Sequence, residues 1–189
     1  MRKYPRVSVL VLAALAVFAL SGCFAAAPVE PPASSPSAAP VFASEEEALA
    51  AATEAYAAYL AVSDAVLGEG GAGPERVDEV ARGSARDDAL SSFESFAAKK
   101  FRSTGNTSFD RLILQGYSPD DTSISEIITA YVCVDISAVD VLDDTGASVV
   151  APARPDFQAY EVAFGTKQEN AAALIVSRAE AWAGSGVCA

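Results

Sequence analysis

Ile127-Ile-Thr-Ala-Tyr-Val-Cys-Val-Asp-Ile-Ser137 alternates apolar and mixed residues at period two, and Val139-Asp-Val141 continues the segment before a turn. Successive side chains of a strand point to opposite faces, so Ile128, Ala130, Val132, Val134, Ile136 and Ala138 share one face. Thr129, Tyr131, Cys133, Asp135 and Ser137 share the other. The first face is continuous and apolar and has to cover a core, whereas the second is mixed and only half buried. The stretch predicts one long strand from Ile124 to Leu142 in an antiparallel sheet roofed on its apolar side.

The flanking segments supply the rest of the sheet. Upstream, Phe109 to Gln115 predicts a strand, and Ser118-Pro-Asp-Asp121 a turn. Downstream, Asp143-Asp-Thr-Gly146 is a hairpin signal. Phe157 to Thr166 then predicts a strand with Tyr160, Val162 and Phe164 on one face. Lys167-Gln-Glu-Asn170 turns again, and Ala172 to Trp182 reads as the last strand.

The roof comes from before the sheet. Ser44 and Glu47 form a capping box, with Glu45 and Glu46 adding negative charge at the positive end of a helix. Leu49, Ala52, Tyr56, Tyr59, Leu60, Ser63, Val66 and Leu67 then recur at three- and four-residue spacing. Gly68-Glu-Gly-Gly-Ala-Gly73 breaks that helix, and Pro74 suits the start of a short turn ending near Gly83. A second long helix is predicted from Ala85 to Arg102, with Leu90, Phe93, Ala97 and Phe101 along one side. The expected fold class is α+β: N-terminal helices packed on a curved four-stranded antiparallel sheet.

The N-terminus has a different character. Arg2, Lys3 and Arg6 precede an uncharged apolar run from Val7 to Leu20, the order of a secretory signal peptide. Leu20-Ser-Gly-Cys23 resembles the lipobox of bacterial lipoproteins, in which the chain is cut before a cysteine that carries diacylglycerol. This predicts a signal peptide over 1–22 and a lipidated Cys23. Pro28, Pro31, Pro32, Pro36 and Pro40 mark the rest of 23–43 as a tether, able to reach about 60 Å in polyproline geometry. A domain over 44–189 follows. The rival reading, an uncleaved membrane-spanning helix, also exports the domain.

Composition narrows the chemistry. The 189 residues include 13 basic and 25 acidic ones. Loss of Arg2, Lys3 and Arg6 with the signal leaves 10 basic residues against 25 acids, a net charge of −15. Such a surface repels nucleic acid and anionic headgroups. There is no histidine, which removes the commonest general base, the commonest metal ligand and every Ser-His or Cys-His nucleophile. Asp140, Asp143 and Asp144 lack the alternating ladder of a calcium loop, so no metal and no cofactor are expected. With Cys23 consumed by lipid, Cys133 and Cys188 remain as a pair. In an oxidising compartment that predicts a disulfide closing a 55-residue separation, worth about 4 kcal/mol in chain entropy. Two free thiols are the alternative, but they lack C-x-x-C spacing.

The element order, behind a lipobox, is similar to the nuclear-transport-factor-2-like, cystatin-like cone shared by ketosteroid isomerases and polyketide cyclases. The chain also resembles envelope lipoproteins of high-GC Gram-positive bacteria. That likeness rests on Ile127–Ser137, on Val139-Asp-Val141 before a turn, and on Trp182 followed by a terminal cysteine. The resemblance implies no single activity, because the cone hosts enzymes and inert binding modules alike. An isomerase-like site would need a carboxylate and a tyrosine donor inside the cone. Tyr56, Tyr59, Tyr131 and Asp135 are the candidates, with Phe93 beside them as pocket wall or filler. The expected protein is an extracytoplasmic lipoprotein on the outer face of the cell membrane, held by lipid on Cys23. Its domain is expected to be non-catalytic, serving an envelope protein or a small apolar ligand. The competing expectation is a small-molecule carrier or an isomerase/cyclase-like enzyme using the cone pocket.

Overall fold

The computed structural model describes residues 41–118, 126–167 and 170–188. The signal segment, Cys23 and the proline-rich stretch through Pro40 lie outside them, as do most of the Ser118–Asp121 turn and the middle of the Lys167–Asn170 turn.

Helix α1 spans Glu45–Gly68 and opens as the capping box requires. The Ser44 hydroxyl accepts from the Glu47 amide at 3.2 Å, while the Glu47 carboxylate reaches back to the Ala43 amide at 2.9 Å. Packing begins earlier still. Phe42 is 5% exposed, and its amide and carbonyl both bond the Tyr117 hydroxyl, at 3.0 and 2.9 Å. A 3₁₀ turn, Pro74–Glu79, leads to helix α2, Gly83–Lys99. Gly71 lets these pieces close up, because its φ is +84° and a Cβ there would collide with the Phe93 carbonyl. Helix α2 ends before the predicted Arg102. Lys100 adopts the left-handed conformation at φ 56°, and the Lys100 and Phe101 amides bond the carbonyls of Ala97 and Phe96. Ala97, expected on the apolar side of α2, is exposed, and Ala85 and Ala89 are buried instead.

Six strands follow: β1 Arg102–Thr104, β2 Ser108–Tyr117, β3 Ile128–Asp135, β4 Asp140–Leu142, β5 Phe157–Lys167 and β6 Asn170–Ala181. Strands β2, β3, β5 and β6 form one antiparallel sheet in that order, with α1 and α2 packed against it. Ile128, Ala130, Val132 and Val134 are all at most 4% exposed, alternating with half-buried Thr129, Tyr131, Cys133 and Asp135. They pack with Val162, Phe164 and Val176 beneath Ala52, Tyr56, Ala89 and Phe93 of the helices. The edge strand β6 is partly covered: the Arg82 amide bonds the Val176 carbonyl and the Val176 amide the Val80 carbonyl, at 2.9 and 3.0 Å.

The single long strand expected from Ile124 to Leu142 is divided. At Asp135 the carboxylate accepts from the Ser137 amide at 2.8 Å and turns the chain, and the Ile136 amide bonds the Asp156 carbonyl. The Arg154 guanidinium then clamps the Ile136 and Val139 carbonyls at 2.8 and 2.7 Å. Beyond this turn β4 pairs with β1 in a separate two-stranded sheet. Ala138, expected on the apolar face, is exposed. The expected Asp143–Gly146 turn is present, but it follows β4 in the small sheet, where the Asp143 amide bonds the Ala147 carbonyl at 2.9 Å.

Candidate functional site

The helix spacing that puts Tyr56 and Tyr59 on one face of α1 drives Tyr56 into the core. Its ring meets Phe109 at 5.1 Å and Phe164 at 6.4 Å, both edge-on, and stacks with Tyr59 at 6.1 Å. Tyr56 is 2% exposed and Phe93 is 1% exposed, so both fill the space between helices and sheet.

What stays open is a cleft of about 290 Å³ where α1 and α2 meet the ends of β3, β5 and β6. Val134, Ile136 and Ala179 contribute apolar wall. Tyr59, Ser63, Asp88, Gln158 and Tyr160 contribute polar groups. The Tyr160 hydroxyl donates to the Gln158 carbonyl oxygen at 2.9 Å, which orients both side chains. Burial pushes the Tyr56 phenol far above its ordinary range, and the Tyr59 and Tyr160 phenols add to the shift. Burial likewise raises the Tyr59 phenol; Ser63 pulls it down, and Asp88 and Tyr160 push it up. Tyr160 is raised by burial alone. Three phenols and one carboxylate thus lie near enough to influence one another. Ser63 sits close enough to act on Tyr59, yet its buried oxygen completes no regular hydrogen bond.

The expected pocket residues do not all assemble. Tyr56 and Tyr59 line the cleft, and Phe93 lies in the core beside it. Tyr131 and Asp135 sit on the opposite face of the sheet. Tyr131 packs on Trp182 with ring centroids 4.5 Å apart. Asp135 bonds Ser137, whose hydroxyl and amide hold its carboxyl below the usual range. Tyr160, Gln158 and Asp88 complete the cleft, although sequence reasoning did not single them out as site residues. The parity of β5 was the best signal for Gln158 and Tyr160, which are in phase with Val162 and Phe164.

Two other hollows carry no tyrosine. The larger, about 650 Å³, runs between α1, which gives Ala57, Ala61, Ala65 and Gly68, and residues 103–109, which give Ser103, Thr104, Asn106, Thr107 and Ser108. Its one carboxylate, Asp64, accepts from the Thr107 amide and hydroxyl, both at 2.7 Å, one on each oxygen. The other, about 300 Å³, lies on the outer face beside the Cys133–Cys188 disulfide, between Arg111, Ile113, Phe157 and Val187. That disulfide, with Cα atoms 5.0 Å apart, fixes the tail onto the mixed face of β3.

Among the described residues no group of three or more His, Cys, Asp or Glu side chains could hold a metal ion. No described helix is long and apolar enough to cross a membrane. In comparison with known proteins the chain matches no family model and no curated relative.

Proposed function

We propose that this chain is an exported lipoprotein, similar in layer order to the nuclear-transport-factor-2-like cone, whose domain binds a ligand without transforming it. Lipid on Cys23 holds it to the outer face of the cell membrane, and the tyrosine-rimmed cleft receives the ligand. One observation carries the reading. The interior between the helices and the sheet is filled by Tyr56, Phe93 and Phe164, at most 2% exposed, which speaks against an enclosed reaction chamber there. The candidate base Asp135 faces away from it. A shallow cleft with convergent hydroxyls and apolar wall suits binding.

Full-length protein expressed in a high-GC Gram-positive host tests both halves. The native chain is expected to partition into detergent with a lipid mass increment on Cys23, and Cys23→Ala to be released or left uncleaved. The purified protein is expected to give no Δ5-3-ketosteroid isomerisation above buffer. Unchanged partitioning of Cys23→Ala would make the apolar segment itself the anchor. Steroid turnover that disappears in Tyr56→Phe or Asp88→Asn would replace the binding reading with catalysis.

A further inference from the structure

The cleft's charge and its aromatic rim point to a ligand class. Of the residues lining it, Asp64 and Asp88 are acidic and none is Lys or Arg. Asp64 is occupied by Thr107, so the cleft offers one uncommitted carboxylate. Asp88 is exposed at the rim and makes no ion pair and no side-chain hydrogen bond among the described residues, while lying close enough to raise the Tyr59 phenol. The nearest arginine on its own helix, Arg86, is taken by Asp78 and Asp87, at 2.6 and 3.3 Å. Arg154 is spent on the Ile136 and Val139 carbonyls and does not line the cleft.

An anionic ligand would therefore meet negative charge with no counter-charge, on a chain of net charge −12. One carboxylate is too few oxygens to strip the hydration shell of a divalent metal. A carboxylate beside aromatic rings, over apolar wall, is the environment that favours a soft organic cation. Tyr59 and Tyr160 supply the rings, with Tyr56 stacked behind Tyr59.

We propose that this cleft binds a small organic ammonium ion, held by the Asp88 carboxylate and the Tyr59 and Tyr160 rings. The proposal rests on the cleft being the ligand site of the preceding reading. Choline is a suitable probe and 3,3-dimethylbutan-1-ol its uncharged isostere. Calorimetric titration of the full-length protein in dodecyl maltoside is expected to give saturable choline binding, with the isostere about tenfold weaker or worse. Asp88→Asn, at an exposed position where the fold tolerates change, is expected to weaken choline about tenfold, and Tyr59→Leu comparably. Glu75→Gln, exposed and outside the cleft, is expected to leave binding unchanged. Choline binding that survives both cleft variants, or the absence of choline binding, would overturn the proposal. An isostere that binds as well as choline and is lost in Tyr59→Leu would overturn the charge assignment and leave the binding cleft standing. Neither probe binding, together with steroid turnover, would remove the cleft reading as well.

Discussion

Along Ile128–Asp135 the same eight residues build two surfaces by different means. On the helix side Ile128, Ala130, Val132 and Val134 are buried against Tyr56, Phe93 and Phe164, and burial of apolar area does the stabilising. On the other side Thr129, Tyr131, Cys133 and Asp135 stay half buried, with no layer of structure above them among the described residues. There the sheet is braced by a disulfide, by the Tyr131–Trp182 stack and by ion pairs radiating from Arg178. Arg178 reaches Glu161 at 2.8 Å, Glu126 at 3.2 Å and Glu180 at 3.7 Å, and Glu126 and Glu161 push its guanidinium still further above its ordinary value. The contrast teaches that an uncovered sheet face is held by discrete links, each separable by its own reagent. A packed face responds only to changes of volume.

Three measurements sharpen or break that contrast. The largest effect is expected on the packed face: Phe164→Ala, at a fully buried ring, should lower unfolding free energy by about 4 kcal/mol in denaturant titration. A loss below about 1 kcal/mol would mean the core is looser than the burial pattern states. Next comes the covalent link. Cys133→Ser with Cys188→Ser, or reduction of the native protein, should cost about 3 kcal/mol. Thiol titration of denatured, unreduced protein should find neither of these cysteines free, and two reactive thiols there would dissolve the brace. The smallest effect belongs to the exposed stack. Trp182→Ala should cost about 1 kcal/mol, because the ring is 37% exposed and its loss leaves no internal cavity. A cost matching Phe164→Ala would show that the outer face carries a core of its own.

Much of this was legible in the sequence because local rules and tertiary packing agree there. Ser44 and Glu47 marked the start of α1, the alternation in β3 assigned its two faces, and the expectation that Cys23 carries lipid left Cys133 and Cys188 to pair. The division of the long strand was only half legible. Alternation keeps its phase through Ile136 and Ala138 and slips at the adjacent Ala138-Val139 pair, but what stops the strand is the local Asp135–Ser137 turn together with distant residues. Arg154 clamps the carbonyls, and Gly105 approaches the Ala138 carbonyl so closely that no Cβ would fit. The site was half legible. Parity already put Tyr131 and Asp135 on the face opposite the helices, so grouping them with Tyr56 joined residues that the same alternation separates. Asp88 carried no sequence signal, since its role comes from where α2 lands on the sheet.

The disulfide also sets how this domain yields to tension. A force applied between the segment entering at Val41 and the tail at Cys188 is carried at Cys133 straight across the sulfur bridge. The chain between them, a separation of 55 residues that holds β4, β5 and β6, then bears no load. About 200 Å of contour length is thereby withheld from extension. The oxidised domain is a short spring with a hard stop, and the reduced one a long tether.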